Sequence, residues 1–402
     1  MKKIINASAI EGELFAPSSK SYITRALFAS YLYDIKTIIT NPNFCDDVRS
    51  TIAVLESLGA RYINDRNQIS YTGKINVVPE NINCGESGLC YRLMSAINAV
   101  LGLNINISGS SSLLNRDLSD VDENVELIRR YDDNTDRFKI NSNRSSQFLS
   151  GLLLALPLLN EGTIIEVEDA TSLPYIDLTI EIMKEFGFEI ANDNYQKFCL
   201  KSKWDVDYII LNAEGDWSSA SYLLVAGAIA GNIKLKGIDN NSKQADKAIL
   251  EVLKQVGANL EITADSITVR KNVLNSFEYD ATNSPDLIPV LVALAVNCEG
   301  ESIIRGIDRL VNKESNRLAT IYSEFKKLNC DIHIDKDSFI IKNSDINGGV
   351  VKSHHDHRIA MSLAIAALNA NSAITIEDAE CVSKSYPNFF EDLKLIGVNI
   401  NE

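Results

Sequence analysis

A chain of 402 residues exceeds the size at which one hydrophobic core usually stops growing, so two domains are expected. Its composition, 45% hydrophobic and 23% charged, is that of an ordinary globular protein, and a net charge of −15 excludes the broad basic surface on which nucleic-acid binding runs. Seven cysteines without a CxxC pair point to a reduced cytoplasm, and the longest apolar runs, 151–159 and 222–230, fall far short of the roughly 20 residues of a membrane span.

The chain opens MKKIINASAIEGELF, which lacks the sustained apolar stretch of a secretory signal. Six segments then repeat one pattern, a short polar stretch followed by a small-residue-rich apolar helix. They are SKSYITRALFASYL from Ser19, ESGLCYRLMSAINAVLG from Glu86, SSQFLSGLLLALPLL from Ser145, WSSASYLLVAGAIAG from Trp217, PDLIPVLVALAVNCEG from Pro285 and DHRIAMSLAIAALNA from Asp356. Recurrence at this spacing predicts a duplicated supersecondary unit, and helices apolar on most faces should be buried. Between them, 68–71, 163–167, 207–211, 233–236, 260–269, 302–304 and 338–342 read as strands, and 48–58, 178–186, 247–256 and 317–328 as second helices. Each unit therefore reads as strands plus two helices, giving an α/β (α+β) chain of two halves with three units each and a boundary near Gly215. The interval between the second and third units is the shortest and 129–144 is polar with little periodicity, so the third unit is expected to lack a piece.

No GxGxxG, P-loop or GxSxG motif is present, which removes dinucleotide binding, P-loop chemistry and α/β-hydrolase chemistry. In His354-His355-Asp356-His357 the aspartate reads as a helix N-cap in preference to a metal ligand. Ser145-Ser146, Ser218-Ser219 and Asp286, taken singly, also read as caps, Glu314 as first-turn helix chemistry and Lys384 as surface. One feature resists the bland reading. Lys20, Arg25, Arg92, Lys313, Arg317 and Arg358 lie at or near predicted helix starts, where the backbone is already positively biased and acids belong. Repeated in an acidic chain, this placement points to an anionic ligand.

The strings PSSKSYITRAL, CGESGLCYRL, SSQFLSGLLLALP, SLPYIDLT, EGDWSSASY, NSPDLIP, RLVNKESNRL, HDHRIAM and CVSKSYPNFFEDL, in this order over nearly the whole chain, resemble the enolpyruvyl transferase family, specifically its branch acting on shikimate 3-phosphate. The resemblance implies a two-domain inside-out barrel of six βαβαββ-type units, one truncated, with residues 1–18 plus 216–402 as one lobe and 19–215 as the other. It implies transfer of the enolpyruvyl group of phosphoenolpyruvate to the 5-hydroxyl of shikimate 3-phosphate by addition and elimination, as a step of aromatic amino-acid biosynthesis. No metal or organic cofactor, no nucleic acid and no membrane are implied, and a cytoplasmic monomer is expected.

By the same resemblance, Lys20, Ser21, Arg25, Ser145, Ser146, Gln147, Ser172, Asp286 and Lys313 hold shikimate 3-phosphate, with Tyr175 nearby. Lys20, Gly88, Arg92, Arg116, Gln147, Arg317, Arg358 and Lys384 hold phosphoenolpyruvate. Asp286, Glu314 and Lys20 are the catalytic groups. The residue types suit the task, since two polyanions must be brought together and arginine binds carboxylate and phosphate bidentately. Four positions depart from the family pattern: Glu86 for asparagine, Leu89 for threonine, Leu173 for lysine or arginine, and Asn316 for aspartate. A weakly active or non-catalytic anion-binding homologue and the UDP-N-acetylglucosamine branch of the same fold stand as alternatives.

Overall fold

A computed structural model describes residues 1–65, 67–131 and 136–402. The chain divides into two compact units, Ser18–Ala213 and Met1–Pro17 with Glu214–Glu402, each with its own apolar core. The chain therefore enters the first unit after Pro17 and leaves it before Glu214.

The first unit carries α1 (Lys20–Tyr33), α2 (Asp46–Ser57), α3 (Gly88–Val100), α4 (Ser111–Leu114), α5 (Ser119–Arg129), α6 (Gln147–Ala155) and α7 (Leu173–Glu185). Strand Tyr208–Asn212 runs parallel to Lys36–Thr40, which pairs antiparallel with Gln68–Lys74 and through it with Ala60–Asn64. A second sheet repeats this order: Arg137–Asn141 lies parallel to Ile164–Glu168, followed by Lys197–Lys203 and Phe188–Asp193. The third sheet has two strands among the described residues, Asn81–Asn83 parallel to Asn106–Ser108.

This corrects the expectation about truncation. The third unit is complete, and its first strand, Arg137–Asn141, lies inside the stretch read as aperiodic. The second unit, built on α3, lacks the antiparallel hairpin among the described residues. Alternation in Arg137–Asn141 is confined to Phe138 and Ile140, too short a signal to read against its polar surroundings.

The other unit carries α8 (Trp217–Ala230), α9 (Ile249–Gln255), α10 (Ile288–Ala295), α11 (Arg317–Lys327), α12 (His357–Ala366) and α13 (Phe389–Leu395). Its three four-stranded sheets share one plan: a parallel pair followed by an antiparallel pair. The parallel pairs are Ile10–Phe15 with Gly231–Lys236, Glu278–Asp280 with Glu301–Arg305, and Gly349–Lys352 with Ile374–Glu377. The run 260–269, expected as one strand, is a hairpin of Asn259–Ile262 and Ser266–Arg270, because Thr263 and Asp265 turn the chain between them.

The six repeated apolar helices are α1, α3, α6, α8, α10 and α12, and all are mostly buried. Close packing between α3 and α6 depends on Gly151. A Cβ there would stand 2.7 Å from Ala96 Cβ and 2.7 Å from Leu93 O, so a larger residue would push apart the two helices whose starts carry Gly88 and Gln147.

Candidate functional site

In the first unit, α1, α3 and α6 start without an acid in their first turn. Ser19 caps α1, accepting from the Tyr22 amide at 3.4 Å. Lys20 Nζ donates to Asp47 Oδ2 at 2.7 Å, at the start of α2. Arg25 is buried: Nε donates to Thr179 Oγ1 at 2.8 Å, Nη1 to Ser21 O at 3.0 Å and Nη2 to Ser150 Oγ at 3.3 Å, with the Tyr175 ring 5.9 Å away. These acceptors are all neutral. Burial draws the guanidinium down to about 10, so it remains charged at neutral pH without a carboxylate partner among the described residues. Buried charges are ordinarily paired, so such a group is prepared for an anion.

The α6 start joins the same cluster. Ser145, one residue before the N-cap position, accepts at Oγ from the Gln147 amide at 3.2 Å in a local turn and does not cap the helix. Ser146 occupies the N-cap position without capping, and its Oγ donates to Ser172 O at 3.5 Å. Ser172 is left-handed, with φ 52°, and precedes α7, which carries Tyr175 and Thr179. Thus Ser21, Arg25, Ser145, Ser146, Gln147, Ser172 and Tyr175 are drawn together by α1, α6 and α7.

At the start of α3, a Cβ on Gly88 would lie 3.2 Å from Arg116 Nη1 and 3.4 Å from Arg92 Nη1, so both guanidinium groups border that helix end. Arg92 Nε and Nη2 donate to the two oxygens of Asp120, each at 3.3 Å. Arg116 Nη2 donates to Glu86 O at 3.4 Å. Glu86, one of the four departures, is exposed, and its carboxylate accepts from Ser112 Oγ at 2.8 Å.

The other unit holds a denser cluster. Arg317, in the first turn of α11 and 1% exposed, donates Nε to Asp356 Oδ2 at 2.7 Å, Nη1 to Asp286 Oδ1 at 2.8 Å and Nη2 to Glu314 Oε2 at 2.6 Å. Arg358 Nη2 reaches Asp286 Oδ2 at 3.1 Å, and Lys313 Nζ reaches Asp286 Oδ1 at 3.5 Å. Asp356 caps α12 through the Arg358 amide at 3.0 Å and also accepts from Ser315 Oγ at 3.1 Å. Three cations thus interlock with Asp286, Glu314 and Asp356. Burial would raise Asp286, but Arg358, then Lys313 and Arg317, hold it well below the usual carboxylate range. Burial lowers the Lys313 ammonium, and Asp286 opposes that.

Several single-residue readings are corrected here. Asp286 is not a cap: the N-cap position is Ser284, and the Asp286 side chain faces the arginines. Ser218 does not cap α8, whose cap is Asp216; its hydroxyl donates to Asp246. Lys384 is not surface but 3% exposed, in the turn Ala379–Lys384. Glu314 precedes α11 and faces Arg317. Asn316 caps α11 through the Ala319 amide at 3.1 Å, and the orientation of Arg317 falls to Asp286, Glu314 and Asp356.

Asp246 was not legible as a site residue. It is fully buried, one oxygen accepts from Ser218 Oγ, and the other has no hydrogen-bond partner. Burial pushes it up to about 7; Arg358 opposes the rise, and Asp286 adds to it. No periodicity or motif marks it, because its surroundings come from α8, α12 and the Pro285–Leu287 turn. A carboxyl whose folded pKa is raised binds a proton that the unfolded chain has lost, so its contribution to stability falls as pH climbs from 3.8 to about 7. Asp246→Asn keeps the Ser218 contact and removes that loss. The variant should gain a few kcal/mol over the parent between pH 4 and pH 8, at about 1.4 kcal/mol per unit, in urea unfolding measured across that range.

Among the described residues, five four-stranded sheets, one two-stranded sheet and six buried helices form the fold shared with solved enolpyruvyl transferases. The chain superposes on an EPSP synthase from Acinetobacter baumannii with a TM-score of 0.81 at 22% identity, covering 100% of both chains. It superposes on the enolpyruvyl transferase NikO from Streptomyces tendae with a TM-score of 0.74 at 14% identity, covering 100% of this chain and 98% of that one. A family profile described as EPSP synthase (3-phosphoshikimate 1-carboxyvinyltransferase) matches residues 4–393. A 3-phosphoshikimate 1-carboxyvinyltransferase of Clostridium perfringens is 37% identical over 99% of each chain. One of Clostridioides difficile is 35% identical over 99% of this chain and 98% of its own. The chain belongs to the EPSP synthase family.

Proposed function

We propose that the two clusters divide the work of one reaction, the unit Ser18–Ala213 taking shikimate 3-phosphate and the other supplying the catalytic carboxylates. The activity is that of the family: the enolpyruvyl group of phosphoenolpyruvate passes to the 5-hydroxyl of shikimate 3-phosphate, and phosphate is released. Arg25, Ser21, Ser145, Ser146, Ser172 and Lys20 bind the phosphate and ring of shikimate 3-phosphate; the unpaired charge on Arg25 supports this most directly. Gln147 and Lys20 touch both substrates, and Lys313 contacts shikimate 3-phosphate. Gly88, Arg92, Arg116, Arg317, Arg358 and Lys384 bind phosphoenolpyruvate.

The observation that carries the catalytic assignment is the clamping of Asp286 between Arg317 and Arg358. Held in this way, Asp286 is a weak base. When the carboxylate and phosphate of phosphoenolpyruvate bind these guanidinium groups, their hold on Asp286 relaxes. A unit charge near 4 Å is worth about 4 kcal/mol at an effective dielectric near 20, enough to raise the basicity of Asp286 substantially. Asp286 then takes the 5-hydroxyl proton while that oxygen bonds to C2, and Glu314 with Lys20 delivers a proton to C3. In the second step the C2–O bond to phosphate breaks, C3 gives up a proton, and the double bond re-forms. Substrate binding itself thus switches the base on. The free thiols of all seven cysteines support a reducing cytoplasm as the setting.

Phosphate release on mixing the full chain with both substrates tests the assignment, with Arg25→Met as the diagnostic variant. Calorimetry should show shikimate 3-phosphate affinity falling by about 100-fold, the loss of roughly 3 kcal/mol expected for a buried charged contact. Unfolding free energy should move by less than about 2 kcal/mol, because no buried carboxylate is stranded. Unchanged affinity would remove Arg25 from the site.

A further inference from the structure

Glu324 lies on α11, two turns beyond Arg317, and the mechanism does not use it. Its carboxylate is 1% exposed, yet it is fully engaged: Lys327 Nζ lies at 2.7 Å, the Lys352 amide donates at 3.0 Å, and His354 Nε2 lies at 2.8 Å. Lys352 ends the strand Gly349–Lys352, and His354 lies in the turn that leads into α12.

That turn holds two consecutive left-handed residues, His354 at φ 54° and His355 at φ 57°. Neither is glycine, and the conformation costs an ordinary residue roughly 1–2 kcal/mol. The conformation is held in place from outside: Ser353 Oγ accepts from the His355 amide at 3.1 Å and donates to Asp378 O at 2.9 Å, while Glu324 takes the His354 ring. The next residues are Asp356, which orients Arg317, and Arg358, which clamps Asp286. Two buried carboxylates therefore tie α11 to α12: Asp356 through Arg317 at the helix start, and Glu324 through the strained turn two helical turns further on.

We propose that Glu324 is a positioning residue, which through His354 holds the left-handed turn that aims Arg358 and so sets phosphoenolpyruvate affinity without touching the substrate. This rests on reading Arg358 as a phosphoenolpyruvate ligand. Steady-state kinetics on the full chain test it. Glu324→Gln and His354→Ala should each raise the KM for phosphoenolpyruvate by about tenfold, equivalent to some 1.4 kcal/mol, leaving kcat and the KM for shikimate 3-phosphate nearly unchanged. His354→Asn should recover most of the loss, since asparagine tolerates the left-handed region and can still donate to Glu324. Lys327→Ala, on the solvent side of the carboxylate, should have little effect.

Arg358→Lys in the same assay separates the two readings. If it raises the phosphoenolpyruvate KM while Glu324→Gln and His354→Ala leave it within twofold, the positioning role is overturned. If Arg358→Lys itself has no effect, the ligand assignment falls and the proposal with it. Should Glu324→Gln fail to fold, the His354 variants carry the test, because that ring is 41% exposed and contributes little to the core.

Discussion

Asp286→Ala is expected to lower kcat by about 10³-fold, in the range for loss of a positioned general base, while phosphoenolpyruvate binds more tightly than to the parent. Both effects follow from the same geometry. Asp286 accepts from Arg317, Arg358 and Lys313 in the absence of substrate, so it competes with any anion for those cations. Removing it takes one negative charge away from three cations that it had held, and the gain in positive charge favours the substrate anions. A group that merely braced the site would lower affinity when lost. Calorimetry with phosphoenolpyruvate, set beside turnover measured by phosphate release, therefore separates the roles. Turnover within tenfold of the parent would end the assignment of Asp286 as the base, and weaker binding would end the account of charge competition. Glu314→Gln should likewise depress kcat, acting on the C3 proton.

Arg317→Met is expected to lower unfolding free energy by about 3–5 kcal/mol, the cost of stranding a buried carboxylate, as well as to abolish turnover. Asp356 is fully buried and would be left with the Ser315 hydroxyl and the Arg358 amide as its donors. Glu314 and Asp286 would lose their contacts with the guanidinium as well. The second change Asp356→Asn should recover part of the stability and none of the activity. Urea unfolding of the single and double variants measures the coupling, and an additive pair would show that the Arg317–Asp356 contact carries little energy. The contrast with Arg25 is physical: one buried guanidinium neutralises acids, the other faces neutral groups only.

Much of the fold was legible because burial leaves a local trace. The apolar helices α1, α3, α6, α8, α10 and α12 announce themselves by composition, and their common spacing reveals the duplication. Cations at helix starts were visible for the same reason, since they break a rule of local electrostatics. Less was legible in the third unit, where polar residues on both sides mask its short first strand Arg137–Asn141. Lys384 misled because a charged residue beside a proline turn resembles surface unless its neighbours in space are known.

Sequence alone determined the repeat, the class of fold and the residue types fit for binding two anions, because periodicity and charge placement are properties of a few consecutive residues. Tertiary structure alone decided what those residues do to one another. Asp286 meets Arg317 from 31 positions away and Arg358 from 72, and Glu324 meets His354 from 30. Such meetings depend on how helices and turns distant along the chain are held within a unit. The resulting changes in basicity, such as the lowered Asp286 and the raised Asp246, come from burial and Coulomb fields that exist only once the chain has folded.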